Sequence, residues 1–382
     1  MSPGGDPMTT SAGTPRRRID FKGGGDFYTE LKKSVREVTE APGRQRRATV
    51  RMYSKSAFMI AWVVASWVGL VFFAGNWWQG AIGAVSLGFA MAGVGFNITH
   101  DANHGAYPGG TRANRAMSWT MDLIGASSYV WRTKHNTAHH TFTNISGADS
   151  DIDSMPFARF APDQPRRPYH RFQHVYMWFL YGLFAIKWHS VGDFSYLAAK
   201  KIGETPIAWP KGRELAGFWI GKVIFFSWTL AIPLLLHPVW QVAVVFAVSS
   251  FVLAFTLAIT FQLAHCLEEA EFSSIEQMEV AGPSEWAKHQ VETTVDFAPR
   301  SRLLTWYLGG LNFQIEHHLF SRIGHIHYPA MAPVVREICE RHGVRHHTHE
   351  TLWPALVSHA RWLRQMGEKP SAVAPAPAIA EA

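Results

Sequence analysis

The chain has 382 residues, of which 47% are hydrophobic and 16 are tryptophan, and a formal net charge of +7. That length holds one large domain or two smaller ones. The only two cysteines, Cys266 and Cys339, exclude a disulfide framework or a cysteine-rich zinc ribbon. Residues 1–56 carry twelve Lys and Arg against six Asp and Glu. Because this basic stretch abuts a long apolar run, it reads as a segment retained in the cytoplasm beside a membrane, and no nucleic-acid partner is expected.

In chain order, residues 1–50 are Gly-, Pro- and Thr-rich as well as basic, and are expected to be disordered. They lack the short apolar core of a signal peptide. Residues 51–365 read as one membrane domain. Its apolar runs at 57–75, 80–98, 216–236 and 239–264 are each about as long as the ~30 Å hydrocarbon layer requires of a helix. They fall into two pairs joined by very short links, "NWWQ" and "HP", so two membrane hairpins are expected. Trp77, Trp78 and Trp240 suit an interfacial belt at those turns. Lys222, near the start of the third run, is expected to snorkel toward water. Two shorter apolar stretches, 122–131 and 176–188, read as helices lying in the interface. The Pro/Ala-rich stretch 366–382 is expected to be disordered.

With the N-terminus cytoplasmic, both hairpins return the chain to the cytoplasm, at residues 100–215 and from 265 onward. All 20 histidines lie at or after position 100, and His237 alone falls in an external turn. "KHNTAHHTFTN" (134–144) contributes His135, His139 and His140; in a helix the first two share a face. "THDANHGAY" places His100 and His104 four apart at the end of the second run, and "FQLAHCLEE" places His265 at the end of the fourth. "GGLNFQIEHHLF" adds Gln314, His317 and His318. Neutral imidazole is the commonest metal ligand. Eight histidines and a glutamine exceed the four ligands of a single zinc, so two metals are expected. Ligand type alone leaves Fe, Cu, Ni and Zn open. Acids near the histidines that could orient them are Asp101, Glu268, Glu269, Glu292, Asp296 and Glu316. "DSDID" (149–153) lacks the Gly and Glu of a calcium loop and reads as a polar loop.

"HDANH", "RTKHNTAHHTFTN" and "HQVETTVDFA…GGLNFQIEHHLF…HIHYP" resemble the three histidine boxes of membrane fatty acid desaturases, over about residues 50 to 350. They are most similar to the front-end type, which includes bacterial delta-6 acyl-lipid and linoleoyl-CoA desaturases. The resemblance implies an all-α integral membrane protein, with four transmembrane helices in two hairpins and a cytoplasmic helical cap. It implies two non-haem iron ions held by His100, His104, His135, His139, His140, His317 and His318. His265 matches the extra ligand that follows the fourth helix. Gln314 stands where many desaturases have the first histidine of the third box, as is typical of front-end enzymes. Dioxygen is the implied co-substrate, and the acyl substrate is linked to a lipid, to CoA or to a carrier protein. "SPGG" and "YPGG" lack the histidine of the HPGG haem signature found where cytochrome b5 is fused, so an external donor is expected, ferredoxin or a free cytochrome b5-type protein. The expected location is the bacterial inner membrane, with both termini and the site cytoplasmic. A di-iron hydroxylase or ketolase of an alkyl, sphingoid or carotenoid chain is the alternative enzyme. A zinc hydrolase and a non-catalytic lipid-binding protein are the alternatives of other classes.

Overall fold

A computed structural model describes residues 19, 21–22, 25–282 and 284–369. Inside a bilayer the backbone must bond to itself, which favours continuous helices. Among the described residues, four helices are long and apolar enough to cross a membrane: Arg44–Phe73, Trp77–His104, Gly212–Leu236 and Val239–His265. They contain the four expected runs. The first helix starts well before residue 57, because the polar turns from Arg44 onward continue the helix beyond its apolar section. Only residues 74–76 separate the first two helices, and Asn76 caps the second by accepting from the Gln79 amide at 3.1 Å. His237 and Pro238 separate the third and fourth.

The second span is the central one: 61% of its apolar window is buried, against 22% for the first and third. It packs on the first and fourth spans. Close approach to the fourth depends on Gly88, where a Cβ would lie 2.6 Å from the Ser249 carbonyl oxygen. The second span ends in His100–His104 and the fourth in His265. The remaining chain is mostly short helices, with two- and three-residue strand pairings such as Val295–Phe297 alongside His347–His349.

Helix Gln173–Lys187 packs on the fourth span and is itself covered by helix Leu352–Gly367. Val175, Phe179, Phe184 and Ile186 stay exposed on it. Residues 122–131 do not form one element. Helices Thr120–Leu123 and Ser128–Trp131 are separated at Gly125, whose φ of +100° disfavours any side chain.

The disorder expected of residues 1–50 does not extend through them. Asp26–Thr39 is a helix, with Phe27, Leu31 and Val35 buried against helix Tyr328–Arg341. That four-residue apolar spacing is an amphipathic stripe masked by the basic composition around it. Residues 1–18 lie outside the described residues, as do 370–382. The expected tail boundary at 366 falls within the last helix, where Met366 is buried.

Lys222 does not snorkel. It is buried with Nζ 2.7 Å from Asp193 Oδ2 and 2.9 Å from the Gly125 carbonyl, so the charge is paired internally. Removing one member of a buried ion pair leaves the other uncompensated, at a cost of about 3–5 kcal/mol. Lys222→Met is therefore expected to lower the unfolding midpoint in detergent, and Lys222→Met/Asp193→Leu to recover most of the loss. Equal instability of the single and double variants would contradict the pairing.

Candidate metal centre

Helix geometry sets the positions of the site histidines. Residues Arg132–His139 form a π-helix, a wider coil than an α-helix, often found at functional sites. Its pitch brings residues five apart together, so His135 Nε2 and His140 Nε2 lie 3.2 Å from each other. An ordinary α-helix would have paired His135 with His139 alone; here all three imidazoles enter one site. A second π-turn, Gly95–Thr99, precedes His100 on the central span.

Eight histidines converge. The ligating atoms of His100, His104, His135 and His317 all lie within 4.8 Å of one another. So do those of His139, His265 and His318, and those of His140, His317 and His318. The first two sets share no residue, and His140 stands between them: its ring centroid is 4.7 Å from His104 and 4.2 Å from His318. His135 and His139, one from each, also group with Asp151. All eight are between 0% and 7% exposed, which separates them from solvated surface histidines.

Burial decides the charge of four of them. It pushes the imidazoles of His135, His140, His317 and His318 well below their ordinary value, and the neighbouring histidines add to the shift. The rings are therefore neutral and carry lone pairs. Buried polar atoms normally find hydrogen-bond partners. Yet His104 Nε2, His140 Nδ1, His317 Nε2, His318 Nε2 and both nitrogens of His100 and of His265 have none. A set of dry, unpartnered nitrogens this close together fits metal cations.

Three of the rings are oriented from behind. His139 Nδ1 lies 3.0 Å from Asp149 Oδ2, and His318 Nδ1 lies 2.9 Å from Gln290 Oε1. Both oxygens accept, so Nδ1 carries the proton and the lone pair is on Nε2. His317 Nδ1 meets the Tyr328 hydroxyl at 3.2 Å. Asp149 also accepts from the Asn144 and Asp151 amides, which fix its position. Asn144 has a φ of +56°, and its side-chain amide reaches the carbonyls of His265, Glu271 and Thr293. It thus fastens the second histidine group to the end of the fourth span.

Asp149, Gln290 and Tyr328 were not among the expected orienting residues. The signals were present: Asp149 opens the "DSDID" loop, and Gln290 follows His289 in the third motif. Of the acids that were expected, Asp101 places Oδ1 3.7 Å from His100 Nδ1. Glu269 instead pairs with His349 and Ser358. Asp296 accepts from the Ile315 amide at 3.0 Å, bracing the helix that carries His317 and His318. Burial raises the carboxyls of both Asp296 and Glu316, the former to about 7. Gln314 heads that helix; its Nε2 donates to the Leu311 carbonyl at 2.9 Å, and its buried Oε1 has no partner.

Among the aromatics near the motifs, Trp131 stacks on His135 with centroids 4.3 Å apart. Phe261 also approaches His135, at 6.1 Å. Tyr107 bonds instead to Ser56, and Trp306 packs on Phe58. Phe313 lies in the core under the N-terminal helix, and Phe142 approaches Phe21 at 6.4 Å.

Comparison with known proteins agrees with this geometry. Residues 75–350 match the family model for fatty acid desaturases. The chain is 37% identical to an sn-1 linoleoyl-lipid 6-desaturase of Arthrospira platensis over 90% of its own length and 93% of that protein's. It is 32% identical to the sn-1 linoleoyl-lipid 6-desaturase of Synechocystis sp., over 92% of this chain and 98% of that one. An acyl-lipid (8-3)-desaturase of Physcomitrium patens shares 34% identity over 90% of this chain and 72% of its own. With the family model covering most of its length and the histidine motifs gathered in one buried site, this chain belongs to the fatty acid desaturase family.

Proposed function

We propose that this fatty acyl desaturase acts on acyl chains of membrane lipids at a front-end, delta-6-like position, through a di-iron centre at the cytoplasmic face of a bacterial inner membrane. One observation carries the metal assignment: eight buried histidines whose ligand nitrogens cluster in two sets without a shared residue, with one imidazole between them. His100, His104, His135 and His317 hold one iron. His139, His265 and His318 hold the other, and His140 completes the centre between them. Gln314 is the weakest member of the set: its Oε1 is available as an oxygen donor. Similarity to two linoleoyl-lipid 6-desaturases over nine-tenths of the chain supports the lipid-linked substrate and the position of the double bond.

Bound iron, with dioxygen and electrons from an external donor such as ferredoxin or a free cytochrome b5, supplies oxidising power that no side chain has, enough to remove hydrogens from unactivated methylenes. The chain's own residues do the rest. Burial keeps the imidazoles of His135, His140, His317 and His318 neutral. Asp149 and Gln290 hold Nδ1 protons so that Nε2 faces the metals, and Trp131 covers the His135 ring. Placement of one carbon pair against the centre then sets the outcome, since near-attack geometry carries much of the rate. An apolar cavity of about 470 Å³ between the spans, lined by Leu87, Met91, Phe225 and Trp228 among others, supports a reading in which the methyl end of the acyl chain reaches into the membrane. Met91 lies about 14 Å below His100 along the central helix.

The two-hairpin topology with a cytoplasmic cap follows from the short breaks between spans and the basic N-terminal segment. Both native cysteines are buried, so a single introduced cysteine reports alone. A cysteine at Asn76 is expected to react with an impermeant reagent from outside the cell, and one at the exposed Thr137 is not; the opposite labelling would reverse the orientation. His139→Ala and His317→Ala are expected to abolish turnover and lower iron content while the protein still inserts. Asp149→Ala should reduce iron affinity or activity about 10- to 100-fold, and unchanged values would remove it from the centre. Expression in a host without polyunsaturated lipids, with fatty acids supplied and products mapped by mass spectrometry, tests the reaction. A new cis double bond at the sixth carbon from the carboxyl is expected. A hydroxylated product would establish the alternative instead.

A further inference from the structure

A buried lysine on the first membrane span connects to the metal centre through two side chains. Lys55 Nζ lies 3.1 Å from His325 Nε2, and His325 Nδ1 lies 2.8 Å from Asp101 Oδ2. The His325 backbone amide donates to the same Asp101 oxygen at 3.1 Å. The other oxygen, Asp101 Oδ1, lies 3.7 Å from His100 Nδ1. Lys55, His325, Asp101 and His100 are at most 9% exposed, so the chain of contacts runs out of reach of bulk water. They come from three separate places: Lys55 from the first span, Asp101 and His100 from the end of the second, and His325 from the turn before helix Tyr328–Arg341.

Donor and acceptor inventory gives the contacts a direction. A carboxylate only accepts, so His325 Nδ1 donates to Asp101, and the lone pair of the neutral ring on Nε2 accepts an N–H of Lys55. Asp101 then receives two donors on one oxygen and presents the other to His100 Nδ1. Both nitrogens of His100 lack a hydrogen-bond partner. A proton on Nδ1 would face the carboxylate, leaving the lone pair on Nε2 for a metal.

We propose that Lys55 and His325 are positioning residues that, acting through Asp101, fix the tautomer of His100 and so prepare one of the two metal positions. The inference rests on the reading of His100 as a metal ligand. The 3.7 Å gap is too long for a hydrogen bond, so the proposal requires that it shorten when His100 binds a metal. Asp149 behind His139 is the corresponding carboxylate on the other position, at 3.0 Å.

The test is a Co²⁺ titration of metal-stripped, full-length protein in detergent, followed by the visible absorption of bound cobalt. Wild-type protein is expected to take up cobalt in two steps. In Lys55→Met one step should weaken about 10- to 100-fold while the other stays within about twofold, the usual range for losing a partner behind a ligand. His325→Phe should weaken the same step, and the double variant should be no weaker than His325→Phe alone, because the two residues act in series. An unchanged titration of Lys55→Met overturns the proposal. So does equal weakening of both steps, which marks a general structural role, or additive losses in the double variant. Failure of the wild-type protein to bind two cobalt ions instead overturns the metal-centre reading, and this inference falls with it.

Discussion

Keeping eight imidazoles in one dry volume is the constraint around which this protein is built. Charged, they would repel one another at ring separations near 5 Å, and the site would open. Neutral and unpartnered, they leave several buried nitrogens without hydrogen bonds, each a cost to folding. Cations that bind those nitrogens relieve both problems. The fold's architecture follows from delivering the ligands. The central span brings His100 and His104, the fourth brings His265, and two short helical segments outside the spans bring the other five.

Rigid placement comes from residues one step back. Asp149 and Gln290 choose the nitrogen that His139 and His318 present, and Asn144 joins three stretches of backbone behind them. Asp296 braces the helix bearing His317 and His318 through the Ile315 amide. These contacts are made by buried side chains, so water does not compete for them. The outward surfaces of the four apolar helices expose large hydrophobic residues such as Phe73, Trp77 and Leu235. Specificity of structure is concentrated around the centre.

Much of this could be read directly from the residues. Hydrophobic runs of fixed length located all four apolar helices, and histidine spacing located seven of the clustered histidines, because both signals are local; His265, a lone histidine, was found from its place at the end of the fourth run. What escaped was either local geometry that breaks the regular rule or contact between distant residues. The π-helix at Arg132–His139 cannot be told from an α-helix by spacing, yet it decides that His135 meets His140. Asp149 was dismissed with a loop that fails as a calcium site, since its function depends on a ring ten residues earlier. Lys222 looked like a charge seeking water because Asp193, its partner, belongs to a different helix. The helix Asp26–Thr39 was hidden by composition: three apolar residues in register count for more than the surrounding charge.

The account stands on the identity and number of the ions the histidines bind. Elemental analysis of protein purified without added metal or chelator measures both at once. About two irons per chain, with little zinc, is the expected result: the two ligand groups set the count, and membership of the desaturase family sets the metal. A single zinc per chain without iron would contradict it and return the protein to the hydrolytic alternative.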